Sequence, residues 1–451
     1  MRGRGEILLV SLYELGRQPL AVAEATAFLR RAGFAPACAD LAVSPLDPAA
    51  VAAARLVALS VPMHTAVRLG AEALRRIRAL NPRAHLACFG LYAPLGEAAL
   101  REAGADSILG GECEEALCDL ARALDDGRAP ATPPPVLRRL AFVAPDRSDL
   151  PPLAAYARLV VGDERRLAGA VEATRGCRHL CRHCPIPAVY GGRFFAVPAD
   201  VVTEDAARLI AAGARHLTFA DADFFNAPKH AVSVARRIHA LDAGVTFDAT
   251  IKVEHILRHR ELFPELRSLG LTFVVSAFET LSDAVLRILD KGHTAADEVA
   301  ALDIVRGAGV SIRPTFLPFT PWTTLGDYLA LCHFLVAHEL LDEVDPVQLS
   351  LRLLVPPGSL LLAREELRPH LRDLDDAAFT WRWIHPDPRM DELQRAVAAA
   401  VETAAEAGEP AEDTFVRIHA LAATAAGRVP SMSRPPRRRP APPRLSEPWF
   451  C

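Results

Sequence analysis

The sequence predicts an α/β chain: a Rossmann-like parallel sheet, then a partial (β/α)6, TIM-like barrel, a helical C-terminal region and a disordered tail. Three observations predict it. Short apolar runs alternate with amphipathic ones in two separate series along the 451 residues, and repeated βα units of this size build parallel sheets. A Pro-rich stretch at residues 125–147 separates the two series. Residues 429–451 are rich in Pro and Arg and hold too little apolar surface to fold alone.

In the first series, residues 6–12 read as a strand and 20–32 as an amphipathic helix ended by Gly33. Residues 37–42 and 56–61 are the next strands, and a helix over 65–80 stops at Asn81-Pro82. Residues 85–89 and 107–109 are the last strands, with helices over 95–103 and 114–124. Ligands of such sheets lie beyond the carboxyl ends of the strands, which points to loops 60–65, 90–94 and 110–114. Residues 149–168 are a lead-in of open structure.

In the second series the strands are 169–174, 216–220, 245–251, 272–276, 311–316 and 347–353. Helices over 199–212, 230–241, 282–289, 295–307 and 324–340 alternate with them. Barrel enzymes build their sites at strand carboxyl ends. There the chain places Asp221 and Asp223, Lys252 and Glu254, Ser276 and Glu279, with Arg313 and Arg352 inside the last two strands. Residues 361–428 read as helical, with Trp381, Trp383 and His385 as a packing patch. The expected units are 1–127, a linker and lead-in over 128–165, a barrel over 166–360, the helical region 361–428 and the tail 429–451.

Composition narrows the function class. A net charge of -4 gives no reason to expect nucleic acid or an anionic membrane as partner. No apolar run reaches membrane-spanning length, and the start leads straight into a strand, so a cytoplasmic location is expected. Nine cysteines, only three of them clustered, suit a reducing compartment and a metal site better than a disulfide framework. Lysines occur only at 229, 252 and 291.

The clustered cysteines are Cys177, Cys181 and Cys184, spaced Cys-x3-Cys-x2-Cys directly after the first barrel strand and a Thr-Arg-Gly turn. Three thiolates on one tight loop can hold three corners of a [4Fe–4S] cluster and leave the fourth iron open to a substrate. Two readings compete: a structural zinc ion closed by His179 or His183, and an iron–sulfur cluster that senses redox state without turnover; either would make the chain a non-catalytic redox sensor or regulatory protein.

The cysteine motif, set after the first strand of a βα barrel, resembles the radical S-adenosylmethionine (SAM) superfamily over about residues 169–354. One departure is His183, where that superfamily often has an aromatic residue before the third cysteine; an imidazole can still stack on adenine. The resemblance implies SAM bound at the open iron, reductive cleavage to a 5′-deoxyadenosyl radical, and an electron donor such as flavodoxin or ferredoxin. It further implies Asp221 or Asp223 as acceptors for the SAM ammonium, Arg313 or Lys252 for its carboxylate, and Glu254 or Ser276 for the ribose. Arg352 is then a candidate for the carboxylate of an unknown small-molecule or peptide substrate. Structural roles compete at each position: turn or cap for the aspartates, a mutual pair for Lys252 and Glu254, an ion pair for either arginine.

The first unit resembles the cobalamin-binding domains that precede many radical SAM barrels, through Asp106-Ser107-Ile108-Leu109-Gly110-Gly111-Glu112. The Asp-x-His-x-x-Gly cobalt-ligand signature is absent, so cobalamin stays open, and His64 reads as a solvated loop residue. If cobalamin binds, methyl transfer becomes the expected reaction. Phe219–Phe225, Asp290–Thr294, Arg352–Ser359 and Pro443–Cys451 are similar to radical SAM proteins with a Cys-selenocysteine (or Cys-Cys)-Ala-Glu-Pro tail. That makes Cys451 a candidate redox residue, and a selenocysteine codon read as termination is expected after it.

Overall fold

The computed structural model describes residues 1–131, 133–430, 432 and 441–447. Strands β1 (Ile7–Ser11), β2 (Ala37–Asp40), β3 (Leu56–Ser60), β4 (His85–Phe89) and β5 (Ser107–Leu109) form a parallel sheet in the order 2-1-3-4-5. Every residue of β1 and β3 is buried, as expected of strands covered by helices on both faces. Alternation divides them between two cores. Leu8, Val10, Val57 and Leu59 face one side; Ile7, Leu9, Leu56 and Ala58 face the other.

The lead-in folds as a hairpin of β6 (Arg158–Val161) and β7 (Glu164–Val171). β8 (Thr174–Gly176) and β9 (Phe194–Ala196) make a small antiparallel pair around the cysteine loop. Then β10 (His216–Phe219), β11 (Thr246–Thr250), β12 (Leu271–Glu279) and β13 (Ser311–Phe316) extend β7 in parallel. Val274, Phe278, Ile312 and Phe316 point into the main core under the helices. Phe273 and Val275 point to the inner face, beside Leu159.

The fold class holds, with local corrections. The sixth barrel strand is absent: Pro346–Ser350 is a 3-10 turn, and only a bridge between Phe319 and Arg352 marks its place. Proline at the turn start removes a ladder donor. Arg352 is held by Asp391 at 2.6 Å and the Trp383 carbonyl at 2.6 Å, with its guanidinium 3.5 Å over the Trp383 ring. It is therefore a packing residue, not a substrate contact. The C-terminal region is helical over Pro388–Glu406 and Ala411–Ala425. It starts with a hairpin, β14 (Leu371–Asp375) and β15 (Thr380–Trp383), which carries both tryptophans.

The Pro-rich break is a docked strap. Val136 accepts from Glu112 N at 2.8 Å and donates to Gly110 O at 3.0 Å. Arg30 binds Asp146 and Asp149, and Arg147 binds Asp205 on the barrel's first helix. Part of the tail is ordered as well. β16 (Arg444–Leu445) pairs antiparallel with β6 at the open edge of the second sheet, and Ser446 N donates to Arg158 O at 2.7 Å. Arg437–Arg439 and Cys451 lie outside the described residues. Among the described residues, no helix is long and apolar enough to cross a membrane.

Candidate active site

The cysteine loop is built by backbone constraint. Gly176 has φ +77°, and a Cβ there would lie 2.5 Å from Arg193 O and 2.6 Å from the Tyr190 ring. Cys177 N donates to Arg193 O at 3.1 Å, and Arg182 N to Leu289 O at 2.9 Å. Cys184 N-caps the helix Pro185–Tyr190. Asn226 stitches the loop from outside: Nδ2 donates to Thr174 Oγ1 and Gly176 O, and Oδ1 accepts from Arg178 N. Burial pushes the Cys177 thiol up to about 11 and the Cys184 thiol to about 12, and neighbouring thiols add to this. Thiols so placed lose their protons to a bound cation. The Gly176→Ala chain is expected to carry about 1–3 kcal/mol of backbone strain at this turn. Iron and sulfide per chain after anaerobic reconstitution should fall, while the far-UV circular dichroism stays unchanged.

Arg175, inside the Thr-Arg-Gly turn, joins the two sheets. It is 8% exposed and contacts Glu24 at 2.7 Å, Glu114 at 2.5 Å, Glu172 at 2.7 Å and Glu112 at 3.3 Å. Tyr190 donates to Glu112 at 3.0 Å. Four carboxylates on one guanidinium cannot all be ionised cheaply. Burial raises Glu24, Glu112 and Glu172, Glu112 to about 7. The Gly-Glu ending of the first unit thus grips the residue two before Cys177.

The structure sorts the other candidates. Asp221 accepts from Ala173 N at 2.9 Å and Thr174 Oγ1 at 2.6 Å, one with each oxygen. It shapes the turn and is not open to a SAM ammonium. Asp223 caps Phe225 N at 3.0 Å and faces His179 and His255. Ser276 alternates with Val274 and Phe278, which pack under the helices, so period-two geometry turns its hydroxyl away from a ribose on the inner face. Lys252 lies 3.2 Å from Glu254 and 3.1 Å from His179 Nδ1, so these two candidates pair with each other.

Arg313 does face inward. It lies 3.1 Å from Asp345, and its Nη1 is buried without a partner. It lines a cavity with Arg17, Asp248, Thr250, Thr315 and Glu447. His183 is anchored by Glu279 at 3.0 Å. Glu279 is also 3.0 Å from Lys291 and has φ +71°, an unusual backbone state for a buried non-glycine residue. Burial works to raise Glu279, but Lys291 and His183 hold it well below the usual carboxylate range. Its position at the end of β12 was legible in the sequence; its partnership with Lys291 and His183 was not.

At the carboxyl edge of the first sheet, the glycines already pack on protein. A Cβ on Gly90 would meet Val61 O at 3.1 Å, and one on Gly110 would meet Pro94 at 2.8 Å. A Cβ on Gly111 would run into the Val136 carbonyl. His64 is not solvated: it starts the helix His64–Leu80, sits edge-on to Tyr92 and is lowered by burial. At the three glycine positions a Cβ would meet protein rather than an open cradle for a cofactor.

Residues 171–334, from the end of β7 to beyond β13, match the family model of the Radical SAM superfamily. This segment is a radical SAM domain. It contains the cysteine triad and every inward-facing strand end described above. Among curated proteins, the chain is 22% identical over 191 residues to a putative methylthiotransferase of Methanocaldococcus jannaschii, covering 40% of this chain and 42% of that one. It is 28% identical over 194 residues to the ribosomal protein uS12 methylthiotransferase RimO of Roseobacter denitrificans, covering 40% of each. The chain thus spans about two fifths of the length of these relatives.

The radical SAM domain and the sheet before it together resemble solved structures. The methyltransferase TsrM from Kitasatospora setae, bound to tryptophan and a SAM analogue, superposes with a TM-score of 0.66 at 17% identity, over 88% of this chain and 89% of that one. The cobalamin-dependent enzyme OxsB, bound to aqua-cobalamin and SAM, gives 0.69 at 13% identity, over 88% and 66%. At these identities the likeness is one of fold.

Proposed function

We propose that the chain is a radical SAM enzyme in which Cys177, Cys181 and Cys184 hold three irons of a [4Fe–4S] cluster. The observation that carries this is the cysteine loop. Three thiols sit on one constrained turn at the mouth of a curled parallel sheet, inside the segment that matches the radical SAM family model. The chemistry such a cluster supplies when bound is one-electron reduction of SAM, giving a 5′-deoxyadenosyl radical that abstracts hydrogen from a substrate. The chain's own residues do the rest. Glu279, held ionised by Lys291 and His183, is the inward-facing acceptor suited to the SAM ammonium. Arg313, with a free Nη1, suits a carboxylate. The docked first unit and β16 wall off the inner face from water.

The zinc reading is disfavoured by the histidines, since His183 is anchored on Glu279 and His179 points to Asp223. The substrate is a small molecule or peptide, and a ferredoxin or flavodoxin in a reducing cytoplasm is the proposed electron source. The test is anaerobic reconstitution followed by an assay for 5′-deoxyadenosine from SAM under reduction. No product above a triple Cys→Ala control would leave only a redox-sensing role. The fold likeness to TsrM and OxsB raises a second branch, methyl transfer through cobalamin, against which the packed glycines at the first sheet's edge count. A visible spectrum of protein purified with added cobalamin tests it.

A further inference from the structure

Behind the cysteine loop, three ligand-type side chains converge from different elements. His179 comes from the loop itself, Asp223 from the turn after β10, and His255 from the helix Val253–Arg258 after β11. One ligand atom of each lies within 4.8 Å of the other two. His255 Nδ1 is 2.7 Å and His179 Nε2 3.4 Å from Asp223 Oδ2, and the two rings are 4.7 Å apart. Neither approach is aligned as a hydrogen bond, and all three atoms are buried without a partner. Asp223 is 2% exposed and His255 0%. Buried polar atoms are nearly always satisfied, so three that face one point unpaired need something between them. Phe225 N fixes the other carboxylate oxygen of Asp223 and turns Oδ2 inward.

We propose that His179 Nε2, Asp223 Oδ2 and His255 Nδ1 bind a divalent first-row transition ion, zinc(II), separate from the cysteine-held cluster. Two imidazoles and a carboxylate suit zinc, and three protein ligands leave a fourth position for water or a substrate oxygen. With Nε2 on the ion, His179 Nδ1 carries the ring proton and needs an acceptor. Lys252 Nζ lies 3.1 Å from the same Nδ1 and can only donate, so with zinc on Nε2 it must turn to Glu254, 3.2 Å away, whose Oε2, 3.8 Å from Nδ1, is the carboxylate in reach. Carboxylates in that position are the usual outer partners of metal-bound histidine. The ion ties the cysteine loop to the rims of β10 and β11. This inference does not rest on SAM chemistry.

The test uses the full chain with Cys177, Cys181 and Cys184 all changed to Ala, so that zinc cannot sit on those thiolates. The probe is zinc(II) alone, with cobalt(II) as a spectroscopic stand-in. One equivalent of zinc should stay bound through gel filtration, and the cobalt spectrum should show ligand-field bands without sulfur charge transfer. Both should vanish with His255→Gln and, separately, with Asp223→Asn, at unchanged far-UV circular dichroism. A second measurement covers poor folding of the cysteine-free chain. Cluster-reconstituted protein with all its cysteines should contain zinc beside its iron, and His255→Gln should lose the zinc and keep the iron. Zinc that disappears with the cysteines, survives both substitutions, or never binds the folded chain overturns the proposal.

Discussion

Replacing Cys177, Cys181 and Cys184 together by alanine is expected to abolish both the iron–sulfur chromophore and SAM cleavage. Loss of outer partners of a metal site typically costs about 10–100-fold in affinity or activity. Loss of the ligands themselves should exceed that and reduce 5′-deoxyadenosine formation to the level of protein-free controls. The fold should survive. The loop is pinned by Gly176, Asn226 and Arg182 through contacts that do not involve sulfur. Iron content, visible absorbance and product yield on one preparation check this. Retained cleavage would mean that the chemistry resides elsewhere.

Arg175→Met should be the most destabilising single change in the molecule. It leaves Glu24, Glu112, Glu114 and Glu172 buried around an uncharged side chain, and breaking a buried ion pair by removing one partner typically costs about 3–5 kcal/mol. The cost should depend on pH. In the folded chain Glu112 keeps its proton up to about 7, well above an ordinary carboxyl group. The unfolded chain therefore binds fewer protons in that interval, and this group's contribution to stability falls as pH rises toward 7, then levels off. Without the guanidinium the carboxyl groups are pushed higher still. The variant should lie nearest to the unmutated protein at acidic pH and furthest from it above neutrality. Denaturant melts at several pH values read this directly. A uniform offset across pH would mean that the loss is one of packing against Phe142, over whose ring the guanidinium lies at 5.0 Å.

The βα alternation and the cysteine spacing were legible because each is written locally, in apolar period and residue spacing. What the sequence concealed is pairing across long distances. Glu112 and Arg175 are 63 positions apart, and nothing local marks them as partners. Asp221 and Asp223 sit where a ligand would be expected, yet the oxygens of Asp221 are taken by Thr174 and Ala173, and Asp223 turns one oxygen to Phe225 N and the other toward two histidines. Ser276 lies near the expected strand end but on the opposite face, because one residue of register reverses the direction of a side chain. His179 and His255 carry no mutual signal in the sequence at all. Residues 347–353 are apolar enough for a sixth strand, but Pro346 and the capture of Arg352 by Trp383 and Asp391 divert them.

The pairing of β16 with β6 bears on colloidal behaviour as well as on architecture. β6 borders the second sheet, and Arg444 and Leu445 satisfy amides and carbonyls that would otherwise face solvent. A bare strand border is a template for another molecule's backbone. Shortening the chain to residue 440 should therefore yield protein that folds but self-associates, with a sedimentation coefficient that climbs with concentration.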